Sequence, residues 1–351
     1  MREIIKKYFK GYVEKYGFIC YSYSIIFLQN VNKIKSKKIK SIVLFLCIPY
    51  ILLKWFVAVL YEKTIGTVLT IIRKRHEKNL EFENELSIVA ILKNEAPYIC
   101  EWIEYHLLVG VQKFYLYDNE SNDGLKTLIQ KYIDNGIVEY TFFPGKSRQL
   151  DAYNDAINKH KCKTRYMCFI DADEFIQPLN QFNSIMQCIN DVLNNVTNAV
   201  GIGISWQHFG SSGRTVMPDG LVIESYLYHA KNECWQNRHI KTICNPRFVK
   251  YYVSPHFPIY YLGSWNVTED GRRLRLWHTS GICYSKIRCN HYFCKSKQES
   301  IKKWNRGLAD RNEKYDWSKF NEYDLNDVYD DTMLKYAKII KEKLNMEVES
   351  L

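Results

Sequence analysis

Three acidic residues stand within four consecutive positions of the chain, directly after an apolar run. Residues 166–170 read Tyr-Met-Cys-Phe-Ile, and Asp171, Asp173 and Glu174 follow at once. Hard divalent cations take oxygen ligands, and proteins usually hold Mg²⁺ or Mn²⁺ with one or two carboxylates plus the phosphate oxygens of a substrate. The Asp-x-Asp pair therefore indicates a site for a metal ion and a diphosphate. A solvated acidic turn is the alternative.

The elements around this stretch predict a mainly parallel sheet. An apolar run that ends in acids is typical of a buried strand with the acids at its carboxyl end. Strands alternate with helices here, which favours right-handed βαβ units whose polar loops meet at one edge of the sheet. The predicted strands are 86–92, 114–117, 137–143 and 166–170, and the predicted helices are 97–108, 125–132 and 148–159.

The later part of the chain is less regular. It predicts a helix over 183–193, a strand over 199–206 and an apolar strand over 220–226. A stretch rich in Trp, His and Tyr follows, which is typical of a carbohydrate or small-molecule cleft but also of an irregular core. Apolar residues at helical spacing over 324–344 predict a terminal helix. We expect a single catalytic domain at 86–310 and a helical tail at 311–351.

The basic residues are concentrated in the N-terminal part of the chain. Residues 1–85 carry a net charge of +9 out of +11, so the main domain is nearly neutral and nucleic acid is a poor candidate partner. We expect a basic arm at 1–40, a membrane-associated segment at 41–75 and a charged linker at 76–85. Pro49 and Lys54 interrupt the apolar run, which leaves an interfacial helix, a transmembrane anchor and a buried helix all open.

Eleven cysteines without a CxxC pair favour a reducing compartment. Together with the basic and apolar N-terminal segments, they predict a protein on the cytoplasmic face of the inner membrane. A Golgi type II membrane protein is the alternative.

The chain resembles glycosyltransferase family 92, which has the GT-A fold, over about residues 88–307. The resemblance rests on motifs in a fixed order, and each motif alone is weak. They are Lys93-Asn-Glu, Glu101-Trp-Ile-Glu-Tyr-His106, Gly110, Tyr117-Asp-Asn-Glu-Ser-Asn-Asp123, Arg148-Gln149, Phe169-Ile-Asp-Ala-Asp-Glu-Phe175, Trp206-Gln-His-Phe-Gly-Ser-Ser-Gly213, Lys241-Thr-Ile, His256 and Asn290-His-Tyr-Phe-Cys-Lys-Ser296.

This resemblance implies an α/β fold of the GT-A type, with a Rossmann-like, mainly parallel sheet flanked by helices. It also implies a metal-dependent inverting glycosyltransferase that uses Mn²⁺ or Mg²⁺. The expected donor is a nucleotide-diphosphate sugar, in particular a UDP-sugar, with galactose as the sugar. The expected acceptor is a glycan or glycolipid of surface polysaccharide or lipopolysaccharide synthesis.

The resemblance also implies roles for individual residues. Asp171 and Asp173 would hold the metal and the donor, and His291 is the candidate third ligand, with a hydrogen-bonded core histidine as its alternative. Nucleotide and diphosphate binding falls on Asn94, Glu95, Asp118, Asp123, Arg148, Gln149 and Lys241, with Arg247 as a further cation. Asx turns are the alternative for residues 119–123.

The acceptor side and the catalytic base are expected in the second half of the chain. Trp206, Phe209 and Gly210 resemble an acceptor-binding loop. Glu224, in the predicted apolar strand, is the candidate base, because burial would raise its pKa. Competing candidates for the base are Asp219, Glu269, Asp270 and His256.

Three other functions are open from the sequence. Residues His278, Cys283, Cys289, His291 and Cys294 suggest a zinc module, although their spacing matches no common finger or ribbon. A phosphotransferase or nucleotidyltransferase would use the same Asp-x-Asp pair, but the chain lacks a Walker-type phosphate loop. A non-catalytic binding protein is the third, and the intact acidic cluster argues against it.

Overall fold

The structure is a computed structural model that describes residues 36–274, 277–306 and 319–346. Its strands are β1 (Asn84–Leu92), β2 (Lys113–Asp118), β3 (Val138–Phe142), β4 (Thr164–Phe169), β5 (Glu174–Pro178), β6 (Ala199–His208), β7 (Tyr228–His229), β8 (Ile240–Cys244), β9 (Val249–Ser254), β10 (Phe257–Tyr260), β11 (Trp265–Val267), β12 (Ile287–His291) and β13 (Val328–Tyr329). Its α-helices are α1 (Lys37–Tyr61), α2 (Thr67–Glu77), α3 (Ala96–Leu108), α4 (Leu125–Leu128), α5 (Gln130–Asp134), α6 (Gln149–His160), α7 (Ile185–Asn194), α8 (Val222–Ser225), α9 (Lys297–Arg306), α10 (Phe320–Tyr323) and α11 (Leu334–Leu344).

One large sheet organises the domain, in the order β3-β2-β1-β4-β8-β6-β12-β5, with β11 beside β6. Strands β3, β2, β1 and β4 are parallel, and β12 is parallel to β6. Strand β8 runs antiparallel to both of its neighbours, and β5 runs antiparallel to β12. The predicted mainly parallel sheet is therefore confirmed, and the carboxyl ends of β1, β2, β4, β6 and β12 share one edge.

Both faces of the sheet are covered, and the central strands are apolar throughout for this reason. In β1, Ile88 and Ala90 belong to the larger core cluster, whereas Val89 and Ile91 belong to a second cluster that includes α6. This alternation is the two-residue period of a strand. The sheet is consequently a buried middle layer that holds its edge loops rigidly.

Helix α7 shows how local sequence sets the flanking elements. The Ser184 side chain accepts a hydrogen bond from the Gln187 amide and caps the first turn. Ile185, Cys188 and Ile189 follow at helical spacing and are fully buried. The predicted helix over 183–193 is thus observed with its boundary shifted by two residues at the start.

Helix α1 covers the apolar run for which we expected membrane association. It is 25 residues long and contains Pro49. Among the described residues, no helix combines the length and the apolar character that a membrane crossing requires. Because lysines and a proline interrupt the run, the predicted localisation at the inner membrane, or as a Golgi type II membrane protein, is wrong. The basic arm before residue 36 lies outside the described residues.

Helix α2 is docked on the catalytic domain. The Nε of Arg247 lies 2.5 Å from the Glu77 carboxylate. The Nη atoms of Arg247 donate to the carbonyls of Lys161, Thr164 and Arg165. Lys74 donates to carbonyls at the start of β6, including that of Ala199 at 3.0 Å. Arg247 therefore binds at the amino end of β4, opposite the acidic edge, and its predicted role at the diphosphate is wrong.

We expect Gly263→Ala to lower the free energy of unfolding by about 2 to 4 kcal/mol. Gly263 has a φ of +93°, and a Cβ there would overlap the backbone of Gly66, in the π-helical turn Glu62–Gly66 that leads into α2. Gly136→Ala is the matched control, because Gly136 has a φ of +71° with open space around its Cα. Thermal unfolding of both variants measures the difference. Equal losses would contradict a tight contact at Gly66.

The described part of the C-terminal tail packs against the domain. Tyr336 of α11 meets Tyr105 of α3 edge to face, with ring centroids 5.2 Å apart. The Asp324 carboxylate accepts from the amide and the hydroxyl of Ser211. The terminal helix predicted over 324–344 is present only over Leu334–Leu344, because residues 328–329 pair with β7 as β13. The segment before α11 supports the loop that follows β6.

Candidate active site

Asp171 stands just beyond the carboxyl end of β4, within a charged network. Lys241, at the start of β8, donates to one oxygen of Asp171 at 2.7 Å and lies 3.3 Å from Glu174. Gln149 donates to the other oxygen of Asp171 at 2.8 Å. The Asp171 amide in turn donates to the Glu174 carboxylate at 2.9 Å. Because β8 is antiparallel, its first residues reach the edge where β4 ends.

Lys241 is charged although only 1% of its side chain is exposed. Burial alone would lower the pKa of Lys241, but Asp171 and Glu174 outweigh burial and hold this pKa well above its ordinary value. The ammonium therefore fixes the orientation of both carboxylates.

Asp173 lies in a second charged group beside the first. His291, the last residue of β12, places Nε2 3.4 Å from the Asp173 carboxylate, and the Lys303 ammonium of α9 contacts the same oxygen. The Tyr292 amide donates to the Asp173 carbonyl at 2.9 Å. Burial would raise the pKa of Asp173, but Lys303 and His291 outweigh it and keep this pKa well below its usual range.

The residues fit a metal ion in part. Asp173 and His291 stand side by side, and the buried His291 Nδ1 has no hydrogen-bond partner in the part of the chain that the structure describes. Asp171, the other expected ligand, is held by Lys241 and Gln149. Within those same residues, no three His, Cys, Asp or Glu side chains are grouped as a metal-binding set. A carboxylate and an imidazole thus suit Mn²⁺ or Mg²⁺ if the substrate supplies further oxygens.

The zinc alternative would also need a group of metal-ligating side chains. Cys289 and Cys294 are buried, and neither belongs to a cluster of metal-ligating side chains within the described ranges. Burial raises the pKa of the Cys289 thiol well above its ordinary value, which disfavours the thiolate that zinc requires. Nothing in the described chain supports a zinc module.

The loops after β1 and β2 meet at the same edge. Asn94, with a φ of +54°, accepts from the Asn122 amide through its side chain. Asp123 accepts from the Ala96 amide at 2.8 Å, and Asp118 accepts from the Ser121 amide at 2.9 Å. The two aspartates hold the loop backbones, so the Asx-turn interpretation applies to both. Any contact with a nucleotide would come in addition.

Two further predicted nucleotide-site residues lie at this edge. Glu95 is buried and precedes α3. Arg148 precedes α6, lies 3.1 Å from Asp151 and places its guanidinium over the Phe143 ring. Glu95 thus follows the carboxyl end of β1, and Arg148 is next to Gln149, which contacts Asp171.

Trp206 is the centre of an aromatic group next to the metal candidates. Its ring lies 4.2 Å from the ring of His291, 4.8 Å from that of His239 and 5.4 Å from that of His256. The indole Nε1 of Trp206 is buried and has no hydrogen-bond partner among the described residues. The sequence indicated Trp206, His256 and His291, whereas His239 becomes apparent only through the fold.

The group continues outward as a platform of rings. His239 lies 4.9 Å from Trp277, and Trp277 lies 6.4 Å from Trp235, whose side chain is 50% exposed. We call Trp206, His239, Trp277 and Trp235 the aromatic platform. Flat apolar rings with polar groups between them are typical of ligand-binding clefts.

Phe209 and Gly210 do not lie on this platform. Phe209 is buried, with its ring 4.6 Å from that of Tyr292. A Cβ at position 210 would overlap Asn326 and the Leu325 carbonyl. Gly210 therefore allows the tail to approach the backbone, and in this structure neither residue is available to an acceptor.

Glu224 lies outside the site, and the strand predicted around it is wrong. Residues Val222–Ser225 form the short helix α8 because Glu101 accepts from the amides of Val222 and Ile223 at 2.7 and 3.0 Å. The Glu224 carboxylate accepts from the Leu221 amide at 2.9 Å and pairs with Lys341 of α11 at 2.9 Å. Its position is that of a structural residue between α8 and the tail.

The other candidate bases differ in their surroundings. Glu269 accepts from the amides of Ser285, Lys286 and Ile287, and Asp270 pairs with Arg272. Asp219 is exposed. Of the four competing residues, His256 contacts Trp206 and so lies beside the site.

We expect Glu224→Gln to leave the turnover number within about threefold of wild type. The substitution should lower the free energy of unfolding by about 1 kcal/mol, because it removes the pair with Lys341. Steady-state kinetics and thermal unfolding test the two parts separately. A turnover loss of about 100-fold with an unchanged KM would restore Glu224 as the base.

Comparison with known proteins gives the family context. The sequence model of Glycosyltransferase family 92 matches residues 89–336. A family 92 protein of Oryza sativa subsp. japonica is 31% identical over 150 residues, which are 41% of this chain and 24% of the relative. One of Arabidopsis thaliana is 28% identical over 183 residues, 50% of this chain and 31% of the relative. A beta-1,4-galactosyltransferase of Caenorhabditis elegans is 26% identical over 190 residues, 50% of this chain and 40% of the relative.

The chain therefore spans less than half the length of each of these relatives. Among solved structures, S. aureus TarS 1-349 is 12% identical with a TM-score of 0.36, covering 62% of each chain. Glucosyl-3-phosphoglycerate synthase of Mycobacterium tuberculosis, in complex with Mn²⁺, UDP and glucosyl-3-phosphoglycerate, is 14% identical with a TM-score of 0.28, covering 47% of this chain and 58% of that chain. The predicted fold class, α/β of the GT-A type, is confirmed.

Proposed function

Because the chain belongs to glycosyltransferase family 92, we propose that it transfers a sugar from a UDP-sugar to a glycan or glycolipid, with inversion and with Mn²⁺ or Mg²⁺. The observation that carries this proposal is the pairing of the Asp173 carboxylate with the His291 imidazole, next to Asp171, at the edge of the sheet. Galactose is the sugar we propose, supported by the galactosyltransferase among the relatives. Surface polysaccharide or lipopolysaccharide synthesis stays a prediction.

Asp173 and His291 would hold the metal ion, together with oxygens of the donor diphosphate. The bound ion would supply positive charge where the leaving diphosphate gains negative charge. Lys241 and Gln149 hold the Asp171 carboxylate at a fixed angle, which suits an acceptor of hydrogen bonds from the sugar hydroxyls of the donor. Asn94, Glu95, Asp118 and Asp123 border the crevice and would meet the nucleoside.

The acceptor would lie on the aromatic platform, because it begins beside His291 and ends at the exposed Trp235. Its rings suit the apolar face of a sugar, and the histidines between them supply hydrogen bonds. This assignment retains Trp206 from the sequence and leaves out Phe209 and Gly210, which are closed off by the tail.

His256 is the base we propose for the acceptor hydroxyl. Its Nδ1 lies 3.0 Å from the Ile240 carbonyl, so Nδ1 donates and the lone pair is on Nε2. Burial lowers the pKa of His256 well below its ordinary value, so the ring is neutral at neutral pH and its Nε2 lone pair is free, in a base weaker than an exposed histidine.

Release of UDP from UDP-galactose by the purified full chain tests the function. We expect a Mn²⁺-dependent rate that EDTA removes and added Mn²⁺ restores. Titration calorimetry across UDP- and GDP-sugars identifies the donor, and NMR of the new glycosidic bond reports whether the anomeric configuration is inverted. A rate that is unaffected by EDTA would exclude the metal, and no turnover or binding with any donor would exclude the transfer.

A further inference from the structure

Lys295 is a buried cation that has no anionic partner at ion-pair distance among the described residues. Its side chain is 4% exposed, and its Nζ lies 3.7 Å from the centroid of the Tyr98 ring. Within the described ranges, the Lys295 ammonium has neither a hydrogen-bond acceptor nor a carboxylate at ion-pair distance, and the Tyr98 ring is its direct contact. A buried charge left in this state costs several kcal/mol. The fold therefore carries a cost that a bound anion would offset.

The Glu299 carboxylate, four positions along the chain, does not neutralise Lys295 by direct contact. Glu299 accepts from the Tyr98 hydroxyl at 2.6 Å, from the Tyr226 hydroxyl and from the Ser296 amide at 3.0 Å, so hydrogen bonds from other groups occupy its carboxylate. Glu95, Asp173 and Glu299 act on Lys295 only through space. The ammonium thus lies between the loop after β1 and the Asp173 group.

The backbone around Lys295 supports the same interpretation. Lys295 has a φ of +45°, in the left-handed region that is strained for a non-glycine residue. Ser296, the next residue, caps α9 by accepting from the Glu299 amide at 3.2 Å, while Glu299 accepts from the Ser296 amide. The strained residue is held in place at the positive end of a ten-residue helix, where anions are favoured.

We propose that Lys295 binds the diphosphate of the donor and of the leaving nucleotide; this rests on the proposed function. During transfer, the bond between the sugar C1 and the β-phosphate oxygen breaks and its electron pair stays on that oxygen. The acceptor oxygen bonds to C1, and its proton passes to the base. Lys295 donates a hydrogen bond to the phosphate oxygen on which the negative charge increases. Lys303, on helix α9 that follows Lys295, adds a second cation beside Asp173.

Binding of UDP and UMP to the Lys295→Met variant tests this role by titration calorimetry with Mn²⁺ present. The variant keeps the apolar stem and loses the charge, so we expect UDP affinity to fall by about 10 to 100-fold, since a hydrogen bond to a charged group is worth about 1.5 to 3 kcal/mol. UMP affinity should change by less than about threefold. Lys302→Met is the matched control, because Lys302 is an exposed lysine of α9, the helix that follows Lys295.

Thermal unfolding separates binding from a structural role. Without ligand, Lys295→Met should be as stable as wild type or more stable, because an unpaired buried charge is gone. UDP should raise the Tm of wild type more than that of the variant. A lower Tm with equal losses for UDP and UMP, or unchanged UDP affinity, would overturn this role alone. A wild-type protein that does not bind UDP would overturn the proposed function as well.

If Lys295→Met does not fold, Lys295→Arg gives the same test. It keeps the charge in a larger, planar group, so we expect weaker UDP binding with UMP binding retained. Unchanged binding of both nucleotides by this variant would contradict a contact between Lys295 and the diphosphate.

Discussion

Sugar transfer by the Asp173→Asn variant is expected to be about 10³-fold slower than in wild type, with the fold intact. The Asp173 carboxylate faces both His291 and Lys303, and the amide keeps its size but loses the charge that either a metal ion or an ammonium requires. Lys303 is 24% exposed and can turn to solvent, so the cost in stability should be about 1 kcal/mol. Turnover and thermal unfolding of the same preparation measure both effects.

The matched control for this variant is Asp191→Asn. Asp191 is an exposed carboxylate of α7, paired with Lys286 at 2.7 Å, and it has no contact with the site residues. Its turnover should equal that of wild type. Mn²⁺ affinity, measured by electron paramagnetic resonance, should be lost in Asp173→Asn and kept in Asp191→Asn. Turnover within about threefold of wild type in Asp173→Asn would remove Asp173 from the mechanism.

Lys241→Met is expected to lower the free energy of unfolding by about 3 to 5 kcal/mol, because it leaves two acids near the protein interior without their cation. Lys241 lies 2.7 Å from Asp171 and 3.3 Å from Glu174, and the Glu174 side chain is fully buried. Urea unfolding measures the change. Lys286→Met is the control, since it breaks a partly exposed pair with Asp191 and should cost less than about 1 kcal/mol.

The dependence of stability on pH should be steeper in the same variant than in wild type. Burial already raises the pKa of Glu174 well above its ordinary value, and without Lys241 this carboxyl will hold its proton more tightly. The folded state then binds more protons than the unfolded state above pH 4.5, so stability should fall as pH rises towards 8. Adding Glu174→Gln should remove this slope and recover part of the stability. A flat pH profile in Lys241→Met would contradict a raised pKa of the buried Glu174 carboxyl.

The sequence could predict the acidic edge because parallel strands bring their carboxyl ends together. Runs such as Ile88 to Leu92 are apolar on both faces, and they end at the polar loops that the structure brings to one crevice. The sequence could not predict which basic side chains meet these acids. Lys303 meets Asp173 across 130 positions of the chain, and helical spacing alone marks Lys303 as a surface residue.

Glu224 shows a different reason for a failed prediction. The apolar residues at 221–223 suit a buried strand, but the amides of Val222 and Ile223 find their acceptor in Glu101, 121 and 122 positions earlier. A backbone that is satisfied by a distant side chain does not need a neighbouring strand. Periodicity carries no information about such a partner, so it could not predict the helix or the removal of Glu224 from the crevice.

The docking of α2 changes where the folding unit begins. The Glu77 carboxylate pairs with the Arg247 guanidinium, and the Lys74 ammonium donates to the Ala199 carbonyl at the start of β6. Both Glu77 and Lys74 precede the family region, which starts at residue 89. A recombinant fragment cut at that boundary would expose the surface that Thr67–Glu77 covers. A protease that cleaves the short connection before β1 would, by contrast, leave this helix attached without a covalent bond.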